Sequence, residues 1–206
     1  MTEEKKAELM YEPPEDVVFY LNAVKGLPGL EGFSGTGLDE WGNPIPWGTG
    51  PHSVRFLREA CEIVKPKRIF VIGFNMGYAD VVFLELLPDV QILSCDISQK
   101  AETKAADKII SERYLKRFIY SDRNNPYFDN LVRAFSYDMC FIDGSHLYDD
   151  VVKDIELCLA LKIKYLLFDD FLPEFGFAGD AARSFEPKIE LVKEMGNMAL
   201  YKNNGV

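Results

Sequence analysis

At 206 residues, with 48% hydrophobic and 27% charged side chains, the chain is long enough for one full core and has the composition of a soluble globular domain. Its net charge of −10, from 23 basic and 33 acidic residues, argues against a polyanionic partner, because no Lys/Arg cluster builds the basic face of a nucleic-acid binder. The longest apolar runs are too short to span a bilayer and the charged start, TEEKKAE, has no apolar signal core; the expectation is a cytoplasmic protein with a small-molecule partner, no nucleic acid and no membrane.

Residues 1–14 are polar and end in Pro13-Pro14, which reads as an arm, and Val17, Val18 and Leu21 share one face of a short helix from Glu15 to Val24. From Lys25 to Gly50 the chain is crowded with glycine, holds Pro28, Pro44 and Pro46, and carries both tryptophans, Trp41 and Trp47. No periodic structure survives that content. Two roles stay open for it: an ordered loop covering core, or a lid on the substrate side. The same apolar loop also suits the interface of a homo-oligomer. The expected division is therefore an N-terminal arm and loop over 1–50 and a regular domain over 51–206.

Beyond Pro51 the rhythm changes. A helix fits His52 to Val64, with Val54, Leu57, Ala60, Cys61 and Val64 at helical spacing. Strands read at Arg68–Ile72, Gln91–Cys95, Arg117–Tyr120, Met139–Ile142 and Tyr165–Phe168. Helices read between them at Tyr78–Leu87, Gln99–Tyr114, Tyr127–Phe135 and Tyr148–Leu161. Such alternation implies βαβ units and a mainly parallel sheet. Ile189–Glu194 and Met198–Lys202, flanking Met195-Gly196-Asn197, read as a closing β-hairpin. Cys61, Cys95, Cys140 and Cys158 lack metal-type spacing and are expected as reduced, packed thiols.

The most telling stretch is Arg68 to Asp96, RIFVIGFNMGYADVVFLELLPDVQILSCD. It reads as strand, glycine turn, helix, strand, with a carboxylate at the second strand's tip. Glycines let backbone approach a ligand, and Asp96 is placed to accept hydrogen bonds from both hydroxyls of a ribose. The remaining strand ends carry Ser121-Asp122, Asp143 and Asp169-Asp170. Asp122 is placed for an adenine amino group, although aspartates at such positions also cap the helices that follow. A nicotinamide dinucleotide fits poorly, since Phe74-Asn75-Met76 puts bulk between Gly73 and Gly77 where a pyrophosphate needs room.

Ile72-Gly73-Phe74-Asn75-Met76-Gly77, then Cys95-Asp96, then Phe141-Ile142-Asp143-Gly144-Ser145-His146-Leu147-Tyr148 resemble the ordered motifs of class I S-adenosylmethionine-dependent methyltransferases, in the branch with Ile-Gly-Phe-Asn-x-Gly and Ile-Asp-Gly-x-His-x-Tyr. The resemblance runs from about His52 to Lys202. It implies an α/β, Rossmann-like seven-stranded sheet, mostly parallel with a C-terminal antiparallel hairpin. It also implies a cofactor site of Gly73, Phe74, Asn75, Met76, Gly77, Asp96, Ile97, Ser121, Asp122 and Asp143 for S-adenosylmethionine. The family carries an acidic residue two positions before the first motif glycine, where it meets the cofactor's amino group directly or through water. This chain has Val71 there, which leaves backbone carbonyls near Gly73 for the ammonium.

Asp143 ends one strand and Asp169-Asp170 the next, and neighbouring strands lie about 4.8 Å apart, so these carboxylates can converge on one cation. An oxygen-only set suits Mg²⁺ or Ca²⁺ rather than zinc. The pattern resembles metal-dependent small-molecule O-methyltransferases, in which the metal orients a substrate hydroxyl and lowers its pKa; helix-capping aspartates without metal are the alternative. His146, in the Asp143 loop, suits a base for a hydroxyl proton or a loop-shaping hydrogen-bond donor. The expected activity is methyl transfer to a hydroxyl of a small acceptor, with Asp143 and His146 catalytic. A non-catalytic binding or assembly protein on the same scaffold is the alternative.

Overall fold

The computed structural model describes residues 51–97 and 100–206; the expected helix over 15–24, the arm and the loop over 25–50 lie outside them. Helix α1 (Pro51–Val64) leads into β1 (Arg68–Ile72), followed by α2 (Tyr78–Leu86), β2 (Gln91–Asp96), α3 (Ala101–Arg113) and β3 (Phe118–Asp122). The second half runs α4 (Phe128–Arg133), β4 (Met139–Ile142), α5 (Tyr148–Ala160), β5 (Tyr165–Phe168), α6 (Ala178–Ser184), β6 (Ile189–Met195) and β7 (Met198–Asn203). Every strand and helix expected in this span is present, with ends differing by a few residues. Helix α6 is additional; it is seven residues long and follows the aromatic run FLPEFGF, so no helical periodicity announces it.

The strands form one seven-stranded sheet in the order β3-β2-β1-β4-β5-β7-β6. β1 to β5 are parallel, while β7 pairs antiparallel with both β5 and β6. Register at the amino ends is fixed by Asp138, whose Oδ2 accepts from the amides of Lys67 (2.7 Å) and Arg68 (2.9 Å).

Side-chain alternation along the strands divides the core in two. Ile69, Val71, Ile92, Met139, Phe141, Leu167 and Leu200 face α1, α2 and α3. Phe70, Ile72, Leu93, Cys95, Cys140, Ile142, Leu166 and Phe168 face α4, α5 and α6. The central strands are buried on both faces, which explains their near-continuous apolar runs. All four cysteines are free and buried, as expected. No helix among the described residues is long and apolar enough to cross a membrane.

From β1 the chain builds outward through β2 to β3, then returns to place β4 on the other side of β1. Strand order thus reverses between β1 and β4, and the crevice at the carboxyl ends of those strands is where open α/β sheets bind ligands.

Candidate functional site

Gly73 and Asp143 meet at this reversal. The Asp143 amide donates to Ile72 O (2.8 Å), and the amides of Gly73 and Phe74 both donate to Cys95 O (2.9 and 3.1 Å). Gly73 has φ +100°, and a Cβ there would lie 1.9 Å from the carbonyl oxygen of Asp143, so only glycine lets the two loops come this close. Asn75 also has positive φ, +46°, and its amide donates to Asp96 Oδ2 (2.7 Å), tying the glycine turn to the tip of β2. The Phe74 ring packs 5.7 Å from Phe118 and 4.9 Å from Tyr120, and Met76 is also buried. The side chains of these two expected cofactor residues belong to the core, so the turn has its backbone to offer a ligand.

On the β3 side, Asp122 stands opposite Asp96 in the strand register. Its Oδ1 accepts from the Asn124 amide (2.8 Å), shaping the turn, whereas the next helix begins only at Phe128 and has no side-chain cap. Ser121 is buried, with its hydroxyl donating to the Asp122 carbonyl (3.4 Å), whereas Ile97 is exposed.

On the β5 side, Asp143 and Asp169 face each other. Burial and the nearby charges of Asp169, Asp170, Asp80 and Asp96 push the Asp143 carboxyl well above the usual carboxylate range. Burial, then Asp170, pushes Asp169 up to about 7. Asp170 has φ +51°, and its amide donates to Asp169 Oδ1 (2.9 Å). Both Asp170 oxygens have partners: Oδ1 accepts from Asn197 Nδ2 (2.7 Å), and Oδ2 lies 2.9 Å from His146 Nδ1.

His146 Nδ1 is also 3.1 Å from the carbonyl oxygen of Phe175. A carbonyl can only accept, so Nδ1 carries the proton, and in the neutral imidazole Nε2 bears the lone pair. The His146 carbonyl in turn accepts from the Phe177 amide (3.1 Å), and Gly176 packs so closely that a Cβ there would lie 2.8 Å from the His146 Cβ. Asp143, Ser145, His146, Asp169 and Asp170, with Val151 and Ala178, line a small recess at the tips of β4 and β5. Leu147, Phe175 and Phe177 are exposed in the two loops that carry it.

No family model matches the chain, and no curated protein matches its sequence. Solved structures do match its shape. An SAH-bound methyltransferase of Podospora anserina aligns with 99% of this chain and 97% of its own at TM-score 0.62 and 16% identity. The O-methyltransferase TomG of Streptomyces achromogenes, involved in tomaymycin synthesis and solved with SAM, aligns over 98% and 99% at 0.61 and 12%. An O-methyltransferase of Bacillus cereus in complex with SAH aligns over 97% and 96% at 0.61 and 14%. This is the class I methyltransferase fold.

Within the methyltransferase fold, the structure brings Asp143, His146, Asp169 and Asp170 together and sets Gly73, Asn75 and Asp96 across the β1 tip from them. Among the described residues, no group of three or more His, Cys, Asp or Glu side chains is arranged to hold a metal ion. Two residues of the region escaped sequence reasoning. Asn197, read only as part of a hairpin turn, accepts from the Leu172 amide through Oδ1 (2.9 Å) and from the Phe171 amide through its carbonyl (2.9 Å), besides holding Asp170. Asp80 is the other. It is 1% exposed in the first turn of α2, and neither of its oxygens completes a hydrogen bond. An acid inside the apolar run Ala79–Leu84 was its visible signal.

Proposed function

We propose that this chain is an S-adenosylmethionine-dependent methyltransferase that transfers a methyl group to a hydroxyl oxygen of a small-molecule acceptor. The observation that carries this reading is the Asp170–His146 pair, which leaves Nε2 as a base on a residue that lines the same recess as Asp143, at the strand-end crevice of a methyltransferase fold. It is supported by structural neighbours described as O-methyltransferases and solved with SAM or SAH.

The residues fit such a cofactor by charge. Asp96 raises the pKa of Asp80, and Asp80 and Asp96 both raise that of Asp143; a sulfonium nucleoside with an ammonium group offsets that repulsion. In this reading Asp96 accepts from the ribose hydroxyls, Ser121 and Asp122 flank the adenine with Ile97, and the backbone of Gly73, Phe74, Asn75, Met76 and Gly77 supports the methionine end together with Asp143. The cofactor supplies an electrophilic methyl group on sulfur. With that group bound, His146 Nε2 would take the acceptor's hydroxyl proton as the oxygen attacks the methyl carbon, the carbon–sulfur electron pair would remain with sulfur, and the imidazole would later release its proton to water. Asp170 fixes the orientation of the ring through Nδ1.

Mg²⁺ belongs to this proposal as a further group. Asp143 and Asp169 would hold it, with Asp170 Oδ1 as a third ligand once released from Asn197, and it would polarise the acceptor hydroxyl. No step above depends on it. We place the reaction in the cytoplasm, in keeping with the free thiols.

Calorimetric titration of the full chain with S-adenosylhomocysteine, with and without Mg²⁺, tests the cofactor. Absence of binding in both titrations would sink the proposal. Binding together with labelled-methyl transfer to a phenol or sugar hydroxyl, lost in His146→Gln, would support the enzyme. Binding without transfer to any such acceptor would favour a non-catalytic protein on the same scaffold.

A further inference from the structure

We infer that Asp80 receives the ammonium group at the methionine end of the cofactor, an assignment that rests on the methyltransferase reading above.

Asp80 lies three residues after Gly77, in the first turn of α2. Its carboxyl faces Ser94 of β2, which pairs in register with Val71 of β1. Val71 and Ile92 point to the α2 face of the sheet, and alternation places Ser94 there as well. The carboxyl therefore sits over the Val71–Ser94 pair, below the turn that begins at Gly73. Ser94 Oγ and the Asp80 amide both pull toward the charged form without completing a hydrogen bond of normal geometry, so both Asp80 oxygens and the Ser94 oxygen are buried without full partners among the described residues.

Such a group is costly to keep. A buried polar atom without a partner loses its hydration and gains nothing, and a carboxylate loses most. The neighbouring charge is also negative: Asp96 acts on Asp80, and Asp80 in turn acts on Asp143. The positive end of the helix dipole offsets only a small part of this. An apolar side chain would pack here at lower cost, as Val81, Val82, Phe83 and Leu84 do next to it. The arrangement is economical only if a cation completes it.

The chemistry of the cofactor selects which part does so. Its adenine and ribose are neutral, and its carboxylate is repelled by three aspartates. The sulfonium is cationic but has no N–H to donate. The ammonium is a compact cation with three donors, matched to two unpaired carboxylate oxygens and a serine hydroxyl.

The test compares S-adenosylhomocysteine with 5′-methylthioadenosine, which keeps the nucleoside and thioether but lacks the amino-acid end. In Asp80→Asn, calorimetry is expected to show S-adenosylhomocysteine weakened by about tenfold to a hundredfold, with methylthioadenosine within about twofold of wild type. A parallel loss of both ligands, or no loss of either, would overturn the assignment. As a second variant, Asp80→Asn with Val71→Asp returns a carboxylate to the same place from the strand side, and is expected to recover most of the S-adenosylhomocysteine affinity. Failure of that recovery in a folded protein would also count against Asp80. Wild-type protein that binds methylthioadenosine and S-adenosylhomocysteine equally refutes the assignment but keeps the nucleoside site, whereas wild-type protein that binds neither refutes the methyltransferase reading itself.

Discussion

Asp170 Oδ2 lies 2.9 Å from His146 Nδ1, so a carboxylate in a left-handed turn after β5 sets the orientation of an imidazole borne by the loop after β4. If Nε2 is the base, His146→Gln lowers kcat by about 10²- to 10⁴-fold and leaves calorimetric binding of S-adenosylhomocysteine unchanged. An equal loss of binding would point to a loop-shaping role.

Asn197 holds Asp170 from the hairpin side through its side chain, while its carbonyl bond to Phe171 survives truncation. Asn197→Ala is expected to cost about 1–3 kcal/mol in urea unfolding, because Asp170 Oδ1 and the Leu172 amide lose a partner. The loss of kcat should exceed any change in cofactor affinity. Asn197→Asp should not rescue it, since a second carboxylate would face Asp170.

Glycine substitutions separate crowding from backbone preference. A Cβ at Gly73 would meet the Asp143 carbonyl at 1.9 Å, whereas one at Gly196, at φ +58°, meets nothing within 4 Å. Gly196→Ala should cost about 1–2 kcal/mol for the left-handed backbone alone. Gly73→Ala should cost more than about 4 kcal/mol, or prevent folding, with thermal unfolding as the measure.

Burial pushes the Asp80 carboxyl up to about 7 from 3.8. Between those values the folded chain binds more protons than the unfolded chain, so this residue's contribution is fully present below pH 3.8 and is lost as pH rises toward 7. Asp80→Asn should therefore gain stability over wild type on going from pH 4 to pH 8, by a difference on the order of 3 to 4 kcal/mol. Chemical denaturation at the two pH values measures it, and a constant offset would contradict the titration.

Burial raises the thiol pKa of Cys61 to about 12 and pushes Cys95 and Cys140 up as well. Native protein at pH 8 should react slowly with a thiol-specific chromogenic disulfide, and all four cysteines should react once it is denatured. Rapid native labelling would show an opened core.

The sheet was legible because its central strands are apolar runs ending in glycine or aspartate, as at Ile72-Gly73 and Ile142-Asp143. Helix α6 was not, since a seven-residue helix of Ala, Gly, Asp, Arg and Ser carries too little periodicity. At the site, strand ends singled out Asp96, Asp143 and Asp170, because their position follows from topology alone. Pairings did not follow. The contact of His146 with Asp170 spans two loops, and the grip of Asn197 on Asp170 joins a hairpin turn to a turn 27 residues earlier. Phe74 and Met76 were expected in the cofactor site, and a turn in which Asn75 takes a left-handed conformation accompanies burial of their side chains.

His146 is bound to the aromatic run after β5 at three places: its ring to Phe175, its carbonyl to Phe177, and its Cβ against Gly176. The imidazole and the exposed rings beside it therefore move as one piece. Replacing residues 175–177 to change what that rim admits would also redirect the imidazole, so selectivity and rate at this crevice would have to be altered together.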